Sequence, residues 1–401
     1  MRHLSVLALL FATSACEEVP AGEGAARAAP EGGGAGPVLR GAKVALADAP
    51  FAVEELGNFD EPWAAAFMPG TPLLFITSKR GGIVFKDVVS GRLGSVQSGL
   101  PDIAYGGQGG LGDIAFSPGF EVENPGRLYL SWVESGADGT RGAVVGRGML
   151  LCEEADSCRL EGLEVLWRQD KTGGSGHYSH RLHFSPDGQH LFVTSGDRQK
   201  QDPAQDLSNN LGAVLRLTPD GKAAPDNPFA DRGGSAAQVW SYGHRNLLGI
   251  DSDGEGRLWV SEMGPRHGDE LNLVEKGANY GWPEASYGDN YNGSPIPDHA
   301  PGDGYVGPAA TWVPATSPAS LLIYKGAMFP DWRGDAIVPG LSGKELNVVS
   351  LEGGRATAMT SYAFGMRLRE VVAGPDGALY ILEDQGSRGG DGTLMRLVPK
   401  S

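Results

Sequence analysis

The chain has 401 residues, 62 of them glycine and 27 proline, and a formal net charge of −16. That glycine share is roughly twice the usual one, and with few long amphipathic patterns it excludes a helical bundle in favour of short strands and tight turns. The acidic balance excludes a broad basic face for nucleic acid, and an anionic membrane surface would repel the body of the chain.

Residues 1–15 begin with Arg2 and His3, continue as an apolar run from Leu4 to Phe11, and end in the small residues Thr13-Ser14-Ala15. This pattern predicts a secretory signal peptide, too short to remain as a membrane span. Small residues ahead of Cys16 resemble a bacterial lipobox, with Thr13 where leucine is usual. Cys16 is therefore expected to be lipidated, simple cleavage being the alternative. Residues 16–40 are glycine, alanine, proline and glutamate with almost no large apolar side chain, a composition that predicts a disordered tether. The expected location is the periplasm or, as an anchored lipoprotein, the outer membrane. The other cysteines, Cys152 and Cys158, flank a short polar loop. In an oxidising compartment they are expected to form a disulfide, free thiols being the alternative.

From residue 41 to 401 one pattern recurs: an apolar stretch, a Pro/Asp/Gly turn, and a β-rich stretch. It appears at Leu111–Pro118 with Arg127–Trp132, at Arg181–Gly188 with Leu191–Thr194, at Leu248–Gly254 with Leu258–Ser261, and at Leu368–Gly377 with Leu379–Leu382. Weaker versions run from Ala64 to Thr77 and from Phe329 to Val338. Alternation of period two on either side of each turn predicts β-hairpins. A lone hairpin cannot bury its apolar face, so such repeats pack on one another. Six of them predict one all-β domain, a six-bladed β-propeller with long inserted loops at the active-site end.

Several loops concentrate polar residues where a β-domain needs only turns. Gly106–Gly112 offers a single functional side chain, Gln108, although taken alone the segment is better explained as a plain glycine-rich turn. Gly176-His177-Tyr178-Ser179-His180-Arg181 offers His177 as a general base; a polar loop, or His177 with His180 as metal ligands, are the alternatives. Tyr242-Gly243-His244-Arg245-Asn246 presents a guanidinium fork beside an amide that donates and accepts. Gly264-Pro265 exposes carbonyls, hard ligands for calcium, near Asp269 and Glu270. Pro339–Lys344 is a fifth segment. In the sixth, Arg367 and Arg369 share a strand face, a costly arrangement unless an anion or polar π-system lies between them. Together these loops suit a planar polyanion and a divalent cation.

The ordered motifs Gly107-Gln108-Gly109-Gly110-Leu111, His177-x-x-x-Arg181, Gly243-His244-Arg245-Asn246, Gly264-Pro265 with Asp269-Glu270-Leu271-Asn272, Asn279-Tyr280-Gly281-Trp282-Pro283 and Arg367-x-Arg369 resemble one family over roughly residues 50–399. It is the soluble glucose, aldose and sorbosone dehydrogenases that use pyrroloquinoline quinone (PQQ). The resemblance implies His177 as the base that takes a substrate hydroxyl proton, with a hydride passing to the quinone and Arg245 polarising the reacting carbonyl. Gln108, Asn246, Arg367 and Arg369 would hold the cofactor, and Lys344 is the nearest lysine to the family's cofactor lysine, whose position holds Ser342. Carbonyls of Gly264 and Pro265 would bind calcium (Ca2+) at the cofactor, and Glu270 and Tyr280 a structural calcium. Gly176 stands where the glucose dehydrogenases carry aspartate, and His180 where glycine or serine is more usual. These departures point to a broad aldose or related alcohol substrate rather than strict glucose. The electron acceptor and the oligomeric state are not specified. A non-catalytic propeller that binds a glycan or a protein partner is the competing reading, and a calcium-dependent hydrolase a weaker one.

Overall fold

The computed structural model describes Leu39 and residues 41–121, 126–386 and 389–400. The signal segment, Cys16 and all of the tether but Leu39 lie outside the described residues. The described chain is nearly all strand. It opens with β1 (Ala42–Ala45) and β2 (Phe51–Asp60). Runs of four strands follow: β3 (Pro62–Phe67), β4 (Leu73–Ser78), β5 (Ile83–Asp87) and β6 (Leu93–Val96); then β7 (Leu111–Phe116), β8 (Arg127–Ser135), β9 (Arg141–Glu154) and β10 (Ser157–Arg168). The chain continues through β11 (Ser179–Phe184), β12 (Leu191–Ser195), β13 (Ala213–Leu217) and β14 (Val239–Tyr242), and then β15 (Leu247–Ser252), β16 (Leu258–Glu262), β17 (Asp269–Val274) and β18 (Ala310–Trp312). It ends with β19 (Leu322–Ile323), β20 (Ala336–Pro339), β21 (Glu345–Glu352) and β22 (Arg355–Ala363), followed by β23 (Leu368–Ala373), β24 (Leu379–Glu383) and β25 (Asp391–Pro399).

Each run is an antiparallel meander. Two of them, β3–β6 and β7–β10, join edge to edge through a short parallel pairing of β6 with β10 and so form one eight-stranded sheet. The last run has only three strands of its own, and β2 from the chain start pairs with β25 to complete it. β1 adds in parallel to the outer edge of β22. First strands pack in cyclic order: β3 on β7, β7 on β11, β11 on β15, β15 on β19, β19 on β23, and β23 on β3. A hydrophobic cluster fills each junction. Trp63 and Phe75 meet Leu130 and Trp132 at one, and Tyr380 and Leu394 meet Leu74 and Ile76 where the last meander returns to the first. This packing revises the alternating pattern expected of the strands. β12, β13 and β16 are buried along their whole length, because neighbouring sheets cover both faces.

The turns follow from their sequence. In Ser185-Pro186-Asp187-Gly188 the Asp187 carboxylate accepts the Gln189 N–H at 3.0 Å, and Gly188 takes φ +69°, which suits glycine. Asp253 and Asp376 make the same kind of turn between β15 and β16 and between β23 and β24. The weak repeat at Phe329–Val338 is corrected. Phe329 lies outside the strands, before a 3-10 turn at Pro330–Trp332, and the partner of β20 is the two-residue β19 upstream. Cys152 and Cys158, near the tips of β9 and β10, are bonded to each other.

The topology fixes where the functional side chains gather. Gln108, His177, Arg245 and Arg367 each stand just before the first strand of a meander. Lys79, Asp197, Gly264, Lys344 and Asp384 each stand just after the second. First and second strands are antiparallel, so all of these positions share one end of the ring.

Candidate active site

His177 is the centre of the site. Its Nδ1 lies 2.7 Å from Oδ1 of the fully buried Asp197, and its backbone N–H donates to Gln108 Oε1 at 2.7 Å. Asp197 also accepts the Gln199 N–H at 2.8 Å and the Trp282 indole N–H at 2.9 Å. Burial alone would raise Asp197, but the bond from His177 and the charge of Arg245 hold it below the usual carboxylate range. An ionised carboxylate can only accept, so Nδ1 carries the proton and Nε2 keeps its lone pair. Among the described residues Nε2 has no hydrogen-bond partner. Burial pushes the imidazole below its ordinary pKa; Asp197 opposes this, while the charges of Arg245 and Arg198 add to it. His177 is therefore neutral and basic at neutral pH.

Backbone strain concentrates here. Six of the ten described non-glycine residues with positive φ are His177, Ser179 and His180 on one segment and Arg198, Gln199 and Gln201 on the facing one. Arg198 locks the two together. It is buried over the Tyr178 ring at 3.7 Å, and it donates to the Gly176 carbonyl and, at 3.0 Å, to that of Gly174. A Cβ at Gly176 would lie 2.7 Å from the end of the Gln199 side chain, so an aspartate there, as in the glucose dehydrogenases, would require Gln199 to move.

Arg245 and Asn246 are placed by Glu262, the last residue of β16. Glu262 accepts the Arg245 N–H at 2.7 Å and the His244 Nδ1–H at 2.8 Å, and Tyr280 stacks on His244 at 4.4 Å. The Arg245 guanidinium donates to the Gly264 carbonyl at 2.5 Å and to that of Met263 at 3.0 Å, and it lies 5.2 Å from the Trp282 ring. Its Nε is buried without a partner. Asn246 is buried and accepts from the Ser179 hydroxyl at 3.2 Å.

On the opposite wall Arg367 and Arg369 do have an anion between them, and the chain supplies it. Asp384 takes Arg367 Nε at 2.7 Å on one oxygen and Arg369 on the other, at 2.9 Å from Nε and 2.5 Å from a terminal nitrogen. Burial would raise this carboxyl, but the two guanidiniums hold it well below its usual range. Lys344 stands at the same end of the ring, in an exposed left-handed turn between β20 and β21, and its side chain makes no hydrogen bond or ion pair among the described residues. Ser342 bonds the Ser317 hydroxyl at 2.7 Å instead. His180 is separate. It is buried, stacked on Trp63 at 5.1 Å, and paired through Nδ1 with the Ser131 hydroxyl, so it cannot share a metal with His177.

The oxygen-rich turn is ordered by Asp269, which accepts the Gly264 N–H at 2.9 Å and the Ser317 N–H at 2.6 Å. Its burial pushes its pKa up to about 6. The Gly264 carbonyl, already bonded by Arg245, keeps one lone pair. Glu270 is buried beside Glu262, and burial and the Glu262 charge raise it well above the usual range. The two carboxylates share the Asn272 amide, whose own Oδ1 is buried without a partner. Tyr280 has a committed hydroxyl, donating to the Leu273 carbonyl at 2.6 Å and accepting the Glu275 N–H at 2.9 Å, so only its main chain is available to a metal. Among the described residues, no group of three His, Cys, Asp or Glu side chains converges as a metal site.

Sequence reasoning missed three residues of this constellation: Asp197, Glu262 and Asp384. Each ends or directly follows the second strand of its meander, and that placement was the only signal available.

Residues 59–396 match the Glucose / Sorbosone dehydrogenase family. Aldose sugar dehydrogenase YliI of Escherichia coli K12 is 36% identical over 353 residues, which cover 86% of this chain and 91% of that one. The apo crystal structure of the soluble aldose sugar dehydrogenase from Escherichia coli superposes with a TM-score of 0.80 at 34% identity, covering 87% of this chain and 100% of that one. The PQQ-bound aldose sugar dehydrogenase from Streptomyces coelicolor superposes at 0.70 with 27% identity, over 87% of this chain and 100% of that one. The chain belongs to the Glucose / Sorbosone dehydrogenase family.

Proposed function

We propose that this protein is a PQQ-dependent dehydrogenase of aldose sugars or related alcohols, with His177 as the general base and calcium as a second cofactor. The observation that carries the reading is the His177–Asp197 pair, with an unpartnered Nε2 at the same end of the ring as a buried arginine whose Nε is unmatched. Such an arrangement lacks an acceptor and a proton donor, and a quinone and a substrate hydroxyl supply them. Bound PQQ supplies the two-electron acceptor for the hydride that leaves the substrate carbon. His177 Nε2 takes the hydroxyl proton, and Asp197 stabilises the imidazolium that results. Arg245, fixed by Glu262 and Trp282, offers positive charge to an oxygen that becomes negative. Gln108, Asn246, Arg367 and Arg369 would hold the cofactor's oxygens.

Calcium suits the hard oxygens present: the Gly264 and Pro265 carbonyls near the cofactor, and Glu270 with the Asn272 amide oxygen and the Tyr280 main chain at a structural position. The fold reading goes with the function. Six four-stranded meanders, cyclic contact of their first strands and closure of the last by β2 support a six-bladed propeller with its substrate end at the loops that carry His177 and Arg245. Export with a lipidated Cys16 is part of the same reading, supported by the Cys152–Cys158 disulfide, a bond of oxidising compartments.

The test is reconstitution. The chain from Gly41 onward is stripped of metal and supplied with calcium and PQQ, and dye reduction is followed over a panel of aldoses and alcohols. Cofactor-dependent dye reduction is the expected result. No binding of PQQ would turn the reading toward a non-catalytic propeller.

A further inference from the structure

Lys79 has no part in the roles assigned above. It follows the last residue of β4 and is half-buried, and its Nζ donates to the Gly107 carbonyl at 2.6 Å. Gly107 has φ +59°, and a Cβ there would lie 2.4 Å from the Ser175 hydroxyl, so the loop is tightly held. The next residue, Gln108, accepts the His177 N–H. Lys79 thus borders the catalytic wall through Gly107. It also feels the opposite wall: burial lowers its pKa first and the charge of Arg369 next, while Glu61 and Asp384 oppose them. Glu61 is already engaged by Arg80 at 3.1 Å and by the Tyr105 hydroxyl at 2.8 Å, so it does not neutralise Lys79 directly. That leaves three cations, Lys79, Arg367 and Arg369, within electrostatic reach of one carboxylate, Asp384, which the two arginines bond.

An ammonium has three donors. One serves Gly107, and among the described residues the other two have no acceptor. We propose that Lys79 binds a carboxylate of the cofactor, completing from the end of β4 the cationic wall of Arg367 and Arg369. The proposal rests on the PQQ reading above and names a residue that the ordered motifs do not contain.

The experiment is a PQQ titration of the calcium-loaded, metal-repleted protein, read by quenching of tryptophan fluorescence, so no turnover is needed. Wild type is compared with Lys79→Met, Lys79→Gln and Lys79→Arg, each first checked for an unchanged melting temperature. A charge-assisted hydrogen bond corresponds to about 10- to 100-fold in affinity. Lys79→Met and Lys79→Gln are expected to weaken binding by that factor, and Lys79→Arg to recover most of it. Gln keeps a donor for the Gly107 carbonyl without the charge. If Lys79→Gln binds like wild type, Lys79 only braces the loop and the proposal fails. Saturable wild-type binding that no Lys79 variant weakens also overturns it while leaving the PQQ reading intact; absence of wild-type binding overturns both.

Discussion

His177 and Arg181 are four residues apart on one segment, and each is a buried nitrogen-rich side chain facing buried carboxylates. They end in opposite states. Arg181 is wholly consumed by the protein. Its guanidinium donates to the Leu248 carbonyl at 2.7 Å, the Ala319 carbonyl at 2.6 Å, Asp113 at 3.4 Å and Glu370, and it lies over the Trp63 ring at 4.2 Å. Those partners come from β15, the segment before β19, β7, β23 and β3, so with β11 every meander contributes to one knot in the middle of the ring. At His177 and Arg245 the partners run out: among the described residues Nε2 of one makes no hydrogen bond, and Nε of the other is buried without a partner. A buried polar network that is fully satisfied specifies structure, and one left incomplete at a loop end leaves room for a ligand. The two ends of a single short segment therefore separate a seal from a site.

Mutation can break that distinction. The largest expected effect is at His177→Ala, which removes the base: turnover falls by about 10⁴-fold, while PQQ affinity measured by fluorescence stays near wild type. Loss of cofactor binding in this variant would make His177 structural and erase the contrast. Arg181→Met is expected to do the reverse. It leaves Asp113 and Glu370 buried without their cation, costing about 3–5 kcal/mol, read as a lower urea midpoint, with kcat of the folded fraction retained. Arg245→Met should hold its urea midpoint and lose turnover; equal destabilisation of both arginine variants would show that the two networks are one. Arg369→Ala weakens PQQ binding before it alters stability, because Asp384 keeps Arg367 as a partner.

How far the sequence could carry this contrast depends on range. His177, Arg245 and the paired arginines were legible because loop polarity next to a strand is a local signal. The first strands were legible for the same reason, since a Pro-Asp-Gly turn between apolar runs leaves few alternatives. What remained hidden was pairing between the two ends of a hairpin, and between meanders. Asp197 lies 20 residues from His177 and Asp384 17 residues from Arg367, each across two strands and the turn between them. Nothing local says which carboxylate meets which cation. Arg181 was noticed only as part of a motif, and its role depends on groups from five other meanders. The β19–β20 hairpin was misplaced for another reason: a two-residue strand carries no periodicity to read.

The smallest predicted effect is the one that best tests what Asp197 does. Because burial depresses His177, its protonation lies below the unperturbed value of about 6.5. The acid limb of kcat/KM should therefore fall below pH 6.5, with a plateau above. Stability has the same sign: between the folded and unfolded pKa values the unfolded chain binds more protons, so this group's contribution is present above the unfolded value and lost as pH falls from there through the lower folded one. Asp197 opposes the depression, so Asp197→Asn should move the acid limb to still lower pH. The plateau should drop about 10²-fold as the imidazole loses its fixed tautomer. A carboxylate that only supported the fold would lower the plateau and the melting temperature together and leave the limb in place. Movement of the limb toward lower pH, with the melting temperature nearly held, is what a positioned base requires.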